Sequence, residues 1–372
     1  MTRSLLLSYV SPEPERQGHA SYTHVHEIIN GLRRQGWQVD LFCPRYDEGA
    51  LPGALTRLLG IGRAMLRAVS SPRTRIYYMR WHFAAFPVAL YAKLLGIPTV
   101  IEVNGPVDDL FIAWPVTRRF RGLFVGLMES QLRWASAIVA VTDGLASMCR
   151  TMTDTDKAIV TIPNGANTDQ FSPDAAEKDN AYTAELPQRF MVFFGTMAPW
   201  QGIRTVLAAL DDPAWPADVH AVFAGDGMER PAVEAAAARL SYAHYLGRVP
   251  YDVLPTVTAR ALGSFVCTEN LEGRGATGLA PLKLFESLAS GVPVIATEMP
   301  FQAAIVKDGA CGYVVPAGDA AELARTVAKL AADQTGALEM GKNARAVAVR
   351  DHSWAARARD THDILVQLLD RT

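Results

Sequence analysis

The chain has 372 residues, of which 49% are hydrophobic and 20% charged, and its formal net charge is -2. This length exceeds that of one typical core and predicts two domains, while the composition is that of an ordinary globular protein. A net charge so close to zero gives no reason to expect a nucleic-acid partner.

The cysteines and the apolar runs exclude further classes. The cysteines are widely spaced and form no CxxC or CxxH group, which argues against a disulfide framework or zinc site and favours reduced thiols. They are Cys43, Cys149, Cys267 and Cys311. No apolar run reaches the roughly 18 residues that a membrane-spanning helix needs. The start, MTRSLLLSYVSPEPERQGH, lacks a small-residue cleavage site and predicts a buried strand, so we expect a cytoplasmic protein.

Short apolar runs alternate with amphipathic stretches along the chain, which is typical of parallel α/β units. A helix is predicted over residues 22–35, where Val25, Ile28, Ile29 and Leu32 share one apolar face. The strands predicted in the first half are SLLLSYV, QVDLFC, IYYM, PTVIEV, AIVAV and AIVTI. Those predicted in the second half are RFMVFFG, VHAVFAG, HYLG, GSFVC, VPVIAT and CGYVVP.

A polar stretch without apolar periodicity separates the halves and predicts an interdomain linker over residues 176–188. We expect doubly wound domains over residues 1–175 and 189–350. The last segment, 351–372, is predicted to be a helix that crosses back to the first domain. Two such domains facing one another would form a cleft at the carboxyl ends of their strands, where such sheets bind ligands.

Basic residues are concentrated in the first half. No acidic residue occurs between Gly49 and Ile101, and a second basic group lies among large apolar residues in TRRFRGLFVGLMESQLRW. The basic residues are Arg57, Arg63, Arg67, Arg73, Arg75, Arg80 and Lys93, then Arg118, Arg119, Arg121 and Arg133. This pattern favours contact with an anionic membrane or a lipid-phosphate acceptor, and the alternative is a solvated helix face.

The stretch GLAPLKLFESLASGVPVIAT combines a helix with a following buried strand. Pro281 suits the first helical turn, and Gly291 can adopt the left-handed conformation that ends a helix. Lys283 and Glu286 are three residues apart, so they share a face near the helix N-terminus, where free N–H groups favour phosphate. Lys283 would add a cation for a diphosphate, and Glu286 would accept hydrogen bonds from ribose hydroxyls. The alternative is a surface Lys–Glu pair.

This stretch resembles the nucleotide-binding signature of retaining glycosyltransferases of family 4. Further stretches resemble the same family in the same order: PEPERQGHASYTHVHEIINGLRRQGWQVDLF, VIEVNGPVDD, IPNGANTDQFSP, FFGTMAPWQGIRTVLAAL, FAGDGMERPAVEAAA with YLGRVPYDVLP, and HSW. The resemblance covers nearly the whole chain. It implies the GT-B fold, in which two Rossmann-like doubly wound domains face each other across a cleft, the first binding the acceptor and the second the nucleotide sugar.

The resemblance also implies residue roles in holding the donor. Backbone groups would contact its phosphates from two loops and from the start of the signature helix, and the nucleoside would lie over a glycine turn. The implied donor-binding residues are Gly18, His19, Ala20, Gly195, Thr196, Gly202, Gly225, Asp226, Arg248, Val249, Ala280, Leu282, Lys283 and Glu286. A lone G-x-G is a weak signal, so a simple turn at Gly225 and Gly227 stays an alternative. Trp200 would pack the second phosphate loop, or be a plain core residue.

Glu102 and Asn104 end the predicted strand VIEV, where α/β sheets offer catalytic side chains. With Lys283 and Glu286 they are the predicted catalytic residues. The alternative for Asn104 is a strand-end residue in a turn, and Asp108 and Asp109 would bind acceptor hydroxyls or be solvated.

The chain departs from the family pattern at three positions. Gly278 stands where the family carries a first carboxylate, Gln201 where it often has Lys or His, and Asn104 where many relatives have histidine. Arg204 and Arg274 are further candidates for the missing cation. The amides around 277–280 would then hold the sugar in place of the carboxylate.

We therefore expect a retaining transferase that uses a UDP-sugar or GDP-sugar donor and a glycan, lipid-linked or small-molecule acceptor. No metal or cofactor is expected, since there is no D-x-D cluster and His24 and His26 lie on different helix faces. The alternative is a catalytically impaired nucleotide-sugar-binding protein. A Rossmann dehydrogenase is disfavoured, because SPEPERQGHAS is no G-x-G-x-x-G loop.

Overall fold

The computed structural model describes residues 5–15, 20–46, 52–71, 74–153, 157–270 and 277–371. The chain divides into two compact units. Unit 1 comprises Met1–Pro163 and Ala355–Thr372, and unit 2 comprises Asn164–Trp354. Each unit contains a parallel six-stranded sheet, and all twelve predicted strands are present.

The sheet of unit 1 has the strand order β2-β1-β3-β4-β5-β6. Its strands are β1 (Leu6–Val10), β2 (Gln38–Phe42), β3 (Ile76–Arg80), β4 (Thr99–Val103), β5 (Ala137–Ala140) and β6 (Ala158–Thr161). Strands β3, β4 and β5 are buried along their whole length, as expected for a parallel sheet covered on both faces. The order reverses between β1 and β3, and such switch points bind ligands at the carboxyl ends of the strands.

Six α-helices lie between these strands in the described ranges. They are α1 (Ala20–Arg34), α2 (Ala54–Val69), α3 (Phe86–Leu95), α4 (Asp109–Ala113), α5 (Arg121–Trp134) and α6 (Asp143–Thr153). The apolar face predicted for α1 is confirmed, because Val25, Ile28, Ile29 and Leu32 are all buried. Helix α3 packs against both α2 and α5. These three helices therefore form one layer of unit 1.

The strands in the sheet of unit 2 have the order β9-β8-β7-β10-β11-β12 and are all parallel. The progression of this order along the chain reverses between β7 and β10, which is the switch point of the sheet. Its strands are β7 (Phe190–Thr196), β8 (His220–Asp226), β9 (Ala243–Gly247), β10 (Gly263–Val266), β11 (Val294–Thr297) and β12 (Gly312–Val315). Its helices are α7 (Ile203–Leu210), α8 (Arg230–Arg239), α9 (Leu254–Thr258), α10 (Leu282–Ala289), α11 (Pro300–Asp308), α12 (Ala320–Ala332) and α13 (Gln334–Asp351).

The predicted helix-then-strand stretch is α10 followed by β11. Pro281 is the residue before the helix, with extended backbone angles, and α10 begins at Leu282. Gly291 has φ +70°, so it is in the left-handed conformation predicted for the end of this helix. The proline and glycine signals thus locate both ends of α10 to within a residue or two, although Pro281 precedes the first helical turn and does not lie in it.

The final helix, α14 (Trp354–Asp370), lies with unit 1, although it follows unit 2 in the chain. The indole Nε1 of Trp37 donates a hydrogen bond to Nδ1 of His362 at 2.9 Å. Ala358 and Leu365 of this helix are fully buried. The helix is therefore part of the core of the first unit.

The boundary between the units differs from the predicted one. Unit 2 begins at Asn164, and the segment predicted as a linker over 176–188 lies within unit 2. The Arg260 guanidinium donates to the carbonyl oxygens of Ala176 and Lys178, and Thr183 is buried. The segment is folded into short 3-10 turns, one of them held by the Asn180 side chain. Such turns carry no apolar periodicity, which is why the sequence pattern looked like a linker.

Candidate active site

Lys283 lies at the start of α10, beside the end of β7. An ideal Cβ on Gly195 would lie 3.8 Å from Cε of Lys283, and the ammonium Nζ lies 3.7 Å from the ring centroid of Phe193. The side chain is buried, and among the described residues its Nζ has no hydrogen-bond partner. Burial lowers the pKa of Lys283 to about 7, against the nearby Cys267 and Glu286, which raise it. A buried cation without an acceptor is costly, so this is a place where an anion would be stabilised.

Glu286 lies one turn further along α10 and is also buried. The hydroxyl of Tyr251, from the segment between β9 and α9, donates to Oε1 of Glu286 at 2.9 Å. This bond fixes the orientation of the carboxylate. The structure thus brings Lys283 and Glu286 together near the start of α10, as the spacing predicted.

Two glycines let the loops after β7, β8 and β10 approach one another closely. A Cβ on Gly202, whose φ is +70°, would lie 1.9 Å from the carbonyl oxygen of Cys267. A Cβ on Gly225, at the end of β8, would lie 1.9 Å from the carbonyl oxygen of Gly195. No side chain fits at either position without a shift of the neighbouring backbone, so backbone groups face one another at the carboxyl ends of these strands.

Thr196 is the last residue of β7, and the loop that follows carries Trp200 and Gln201. The carbonyl oxygen of Trp200 accepts from the backbone N–H of Glu269 at 2.9 Å, which ties this loop to the end of β10. Oε1 of Gln201 is buried and lacks a hydrogen-bond partner within the described parts of the chain. Arg204 is 77% exposed, and its Nε lies 2.9 Å from Oε2 of Glu229. Of the two candidate cations that the structure describes here, Lys283 is therefore the buried one, and the exposed Arg204 pairs with Glu229.

Asp226 is the last residue of β8 and Arg248 follows β9, and the structure brings these two residues, predicted near the nucleoside, together. Nε of Arg248 lies 3.0 Å from Oδ2 of Asp226, whose Oδ1 accepts from the N–H of Gly227 at 2.8 Å. Val249 packs at the edge of an apolar core. Asp226 and Arg248 thus form a polar edge beside the turn at Gly225.

The loop before α10 explains one departure from the family pattern. Gly278 has φ +74°, a backbone conformation that residues with side chains adopt at a cost of roughly 1–2 kcal/mol. The carbonyl oxygen of Ala280 accepts from Nδ2 of Asn164 at 2.6 Å. The missing carboxylate at position 278 thus coincides with a left-handed backbone that favours glycine. Gly18, His19 and Arg274 lie outside the described residues, as does the side chain of Ala20.

Glu102 lies at the centre of a buried polar cluster at the carboxyl ends of the unit 1 strands. Its Oε1 is 2.9 Å from Nε2 of His24 and 3.7 Å from Nη1 of Arg80, and Nδ2 of Asn104 donates to it. Burial alone would raise the pKa of Glu102, but the charges of His24 and Arg80 and the hydrogen bonds of His24 and Asn104 lower it to about 2. Glu102 is only 1% exposed. The geometry gives this carboxylate a positioning role, with Asn104 as the residue that it orients.

The structure also gives separate partners to Asp108, His24 and His26, the other polar residues of unit 1 that the sequence analysis considered. Oδ1 of Asp108 accepts from Arg121 at 2.8 Å, with both side chains 55% exposed. His26 pairs with Glu15 at 3.0 Å, whereas His24 contacts Glu102, so the two histidines do serve different sites. In the described part of the chain no group of three or more His, Cys, Asp or Glu side chains is placed to hold a metal ion. Metal independence stays a prediction.

Sequence reasoning missed the partners of the predicted residues. Tyr251 orients Glu286 from 35 positions away, and His24 contacts Glu102 from another element. For Arg80 the sequence offered one signal, because this charged residue ends the otherwise uncharged strand IYYMR, which is buried throughout. Its role with Glu102 follows from the pairing of β3 with β4, in which Arg80 stands opposite Glu102.

Comparisons with known proteins agree with this architecture. Residues 22–170 match the family model described as Glycosyltransferase Family 4, and residues 188–333 match the one described as Glycosyl transferases group 1. A phosphatidyl-myo-inositol mannosyltransferase of Mycobacterium leprae is 26% identical over 357 residues, which cover 90% of each chain.

Solved structures show the same fold at lower identity. Sucrose-phosphate synthase from Thermosynechococcus elongatus superposes with a TM-score of 0.78 at 17% identity, covering 99% of this chain and 100% of that one. Anabaena Alr3699/HepE in complex with UDP gives a TM-score of 0.71 at 16% identity, covering 97% and 99%. The two family matches together span most of the chain, which is thus a GT-B protein of the glycosyltransferase family 4 type.

Proposed function

We propose that the protein transfers a sugar, with retention of configuration and without a metal, from a UDP-sugar or GDP-sugar to a hydroxyl group. The acceptor is a glycan, a lipid-linked intermediate or a small molecule. The observation that carries this proposal is the buried ammonium group of Lys283 beside Gly195, at the switch point of unit 2. Negative charge builds on a departing diphosphate, and a preorganised cation with loop amides stabilises that charge where it develops.

The rest of unit 2 supports a nucleotide at this place. Glu286, held by Tyr251, is oriented to accept hydrogen bonds from the ribose, and Gly225 with Asp226 and Arg248 borders the nucleoside. The relative Alr3699/HepE was solved with UDP, and another relative is named as a mannosyltransferase. These names favour a nucleotide-sugar donor for this chain as well.

We assign no protein nucleophile to the reaction. Glu102, the carboxylate at the strand ends of unit 1, is buried and engaged by His24, Arg80 and Asn104. The acceptor hydroxyl would attack on the face that the leaving group departs from, and its proton would pass to the leaving phosphate. Asn104 both donates and accepts hydrogen bonds, so it would position a reacting hydroxyl without taking the proton.

The test compares Lys283→Ala with Lys329→Ala. Lys329 also lies over an aromatic ring, that of Tyr313, at 4.5 Å, but it is exposed and belongs to α12. Thermal shifts with UDP, GDP and ADP identify the nucleotide that binds. A turnover assay with the matching donor should then show loss of most turnover in Lys283→Ala only. Normal turnover of Lys283→Ala would refute the assignment. Nucleotide binding by the wild type without turnover on any acceptor would instead favour a catalytically impaired binding protein.

We further propose that unit 1 contacts an anionic membrane from the cytoplasmic side through the layer of α2, α3 and α5. Most of the large exposed apolar side chains in the described chain lie on this layer and on the turn before α5. They are Leu55, Leu58, Leu59, Leu66, Leu90, Leu94, Leu95, Val116, Phe120 and Leu123. The exposed cations among them are Arg63, Arg67, Lys93, Arg118 and Arg119. Apolar groups beside unopposed cations suit an interface with anionic lipids.

Four arginines that the sequence analysis placed in this basic surface have other contacts. Arg80 is buried and pairs with Glu13 and Glu102, and the guanidinium of Arg57 lies over the ring of Trp114. Arg121 and Arg133 pair with Asp108 and Glu129. Within the described helices none is long and apolar enough to span a membrane. The proposed contact is therefore peripheral.

Co-sedimentation with vesicles tests this contact. Phosphatidylglycerol vesicles should retain the wild-type protein more strongly than phosphatidylcholine vesicles, and added salt should weaken binding. Replacing Leu55, Leu59 and Leu66 by serine should lower binding by at least about tenfold, since burying even one leucine side chain contributes about 1.5–3 kcal/mol. Leu338→Ser, an equally exposed leucine of unit 2, is the control. Equal retention on both lipids would contradict the contact.

A further inference from the structure

The residue at which unit 2 begins is hydrogen-bonded to the loop before α10. This residue is Asn164, and its Nδ2 donates to the carbonyl oxygen of Ala280 at 2.6 Å, across 116 positions of sequence. The peptide between Ala280 and Pro281 has no N–H group, because proline lacks one, so its carbonyl oxygen is the group by which it can be held. Asn164 therefore fixes the last peptide before the helix that carries Lys283 and Glu286.

The loop over 277–280 belongs to no strand or α-helix. It contains Gly278, whose φ of +74° marks a turn of the backbone. Glycine loses more conformational freedom on folding than any other residue, so a loop that turns at a glycine is costly to order. The hydrogen bond from Asn164 to Ala280 offsets part of this cost. It favours one orientation of the amide groups in the loop.

Asn164 begins a segment whose backbone is itself fixed, residues 164–171, which we call the entry segment. The N–H of Ala166 donates to the carbonyl oxygen of His352 at 2.9 Å. The carbonyl oxygen of Ala166 accepts from the N–H of Trp354 at 3.0 Å. These two bonds hold the backbone two residues beyond Asn164, so its side chain has a firm base from which to hold the loop.

The guanidinium of Arg345 joins the entry segment to α10. It donates to the carbonyl oxygens of Thr168 at 3.0 Å and Phe171 at 2.8 Å. It also donates to that of Ala289, the last residue of α10, at 2.7 Å. Hydrogen bonds with a charged donor are roughly twice as strong as neutral ones. The entry segment is therefore tied to both ends of α10, by Arg345 at its last residue and by Asn164 just before its first.

The entry segment also supports the residue that orients Glu286. Nε2 of Gln170 donates to the carbonyl oxygen of Tyr251 at 3.3 Å, and the ring of Phe171 packs against that of Tyr251 with centroids 5.5 Å apart. The hydroxyl of Tyr251 in turn donates to Glu286. The same segment thus supports the loop expected to hold the sugar and the tyrosine that orients the carboxylate expected to hold the ribose.

We propose that Asn164 is a positioning residue for the donor sugar: its hydrogen bond to Ala280 orients the amides of the 277–280 loop, and these amides hold the sugar. The inference rests on the proposed transferase function for its donor. The bond reaches the peptide ahead of α10, whereas the nucleotide contacts Lys283 and Glu286 within the helix in the proposed reaction. Loss of the bond should therefore disturb the hold on the sugar more than the hold on the nucleotide.

The experiment compares the binding of a nucleotide sugar with that of the same nucleotide alone, by titration calorimetry. The pairs are UDP-glucose with UDP and GDP-mannose with GDP. Asn164→Asp keeps the size of the side chain and replaces the donating group by an oxygen that faces the carbonyl oxygen of Ala280. In the pair that binds the wild type, this variant should lower the affinity for the nucleotide sugar, relative to that for the nucleotide, by about tenfold.

Asn343→Asp is the matched control. Nδ2 of Asn343 also donates to an alanine carbonyl oxygen of unit 2, that of Ala310 at 3.2 Å, but this bond ties α13 to the turn before β12. The control should therefore keep the ratio of the two affinities found for the wild type. Turnover at saturating donor should fall in Asn164→Asp and stay normal in Asn343→Asp, because a sugar that is poorly held is poorly aligned for transfer.

A second variant keeps the test decisive if Asn164→Asp does not fold. Asn164→Ala removes the donating group without placing an oxygen there, and should change the relative affinity in the same direction by about threefold or more. A merely structural bond would lower the affinities for nucleotide and nucleotide sugar by the same factor, and that result would overturn the inference. Failure of both variants to fold would overturn it as well, since Asn164 would then belong to the framework of unit 2.

The two proposals fail in different ways. If the wild type binds neither UDP nor GDP, the proposed function fails and this inference fails with it. If nucleotide binds but neither nucleotide sugar does, the inference on Asn164 is overturned. If nucleotide and nucleotide sugar both bind and the two Asn164 variants keep the wild-type ratio of affinities, only the role of Asn164 is refuted. The Lys283→Ala turnover test then stands unaffected.

Discussion

The environment of Lys283 differs greatly from that of an ordinary, solvent-exposed lysine. Its ammonium group is buried over the ring of Phe193, and Cys267 and Glu286 only partly offset the loss of hydration. The ligand-free protein therefore holds this side chain near the midpoint of its titration at pH 7. An anion placed beside it would favour the charged form and raise its pKa. Nucleotide binding and proton binding are then coupled.

We predict that nucleotide binding is accompanied by proton uptake at alkaline pH. At pH 8 the free protein carries Lys283 mostly neutral, and the bound diphosphate restores the charge, so about one proton is taken up per nucleotide. The contribution of Lys283 to affinity should therefore be constant well below pH 7 and fall by up to about tenfold per pH unit well above it. Titration calorimetry of UDP or GDP in buffers of different ionisation enthalpy measures the uptake.

Lys283→Met is the control for this prediction, because it keeps the length of the side chain and removes the titrating group. The variant should bind nucleotide weakly and show only the protons that the nucleotide itself exchanges. Equal proton uptake in the wild type and the variant would show that another group titrates.

Glycines set how closely the loops after β7, β8 and β10 approach one another. Gly202 combines a left-handed backbone with a carbonyl oxygen 1.9 Å from where a Cβ would lie. Gly318 has a similar φ of +77°, but nothing lies within 4 Å of its Cβ position. The two glycines of unit 2 thus separate the cost of backbone conformation from the cost of a steric clash.

We predict that Gly318→Ala lowers the free energy of unfolding by about 1 kcal/mol, the cost of a left-handed alanine. Gly202→Ala should cost more than about 3 kcal/mol, since the loop must also move away from Cys267. Chemical denaturation of the two variants measures the difference. The displaced loop should weaken UDP or GDP binding in Gly202→Ala and not in Gly318→Ala, and equal losses of stability would show that the loop yields freely.

Elements were predicted well where a local signal determines them. All twelve strands and both ends of α10 follow from apolar runs, Pro281 and Gly291. The segment over 176–188 was predicted wrongly as a linker. Its turns are held by Asn180 and by Arg260, which lies far along the chain, after α9. The same division holds for the site. Lys283 and Glu286 follow from one motif, whereas the contact of Tyr251 with Glu286 and that of His24 with Glu102 depend on distant segments.

The last helix of the chain, α14, packs in the first unit although the whole of the second unit precedes it in the sequence. Helix α14 follows unit 2 in sequence but buries Leu365 in unit 1, where its His362 meets Trp37. The first unit is therefore complete only when the end of the chain is in place. Leu288, at the end of α10, is an equally buried leucine in the core of unit 2.

We predict that Leu365→Ala destabilises unit 1, by about 2–5 kcal/mol for a large-to-small change in a core. Hydrogen exchange followed by mass spectrometry should show faster exchange in peptides from β1 to β6, although these lie some 200 residues or more earlier in the chain. Leu288→Ala should accelerate exchange in β7 to β12 by the same mechanism. If Leu365→Ala accelerated exchange in unit 2 and left β1 to β6 unchanged, α14 would belong to the core of unit 2, and the assignment of the final helix to unit 1 would be wrong.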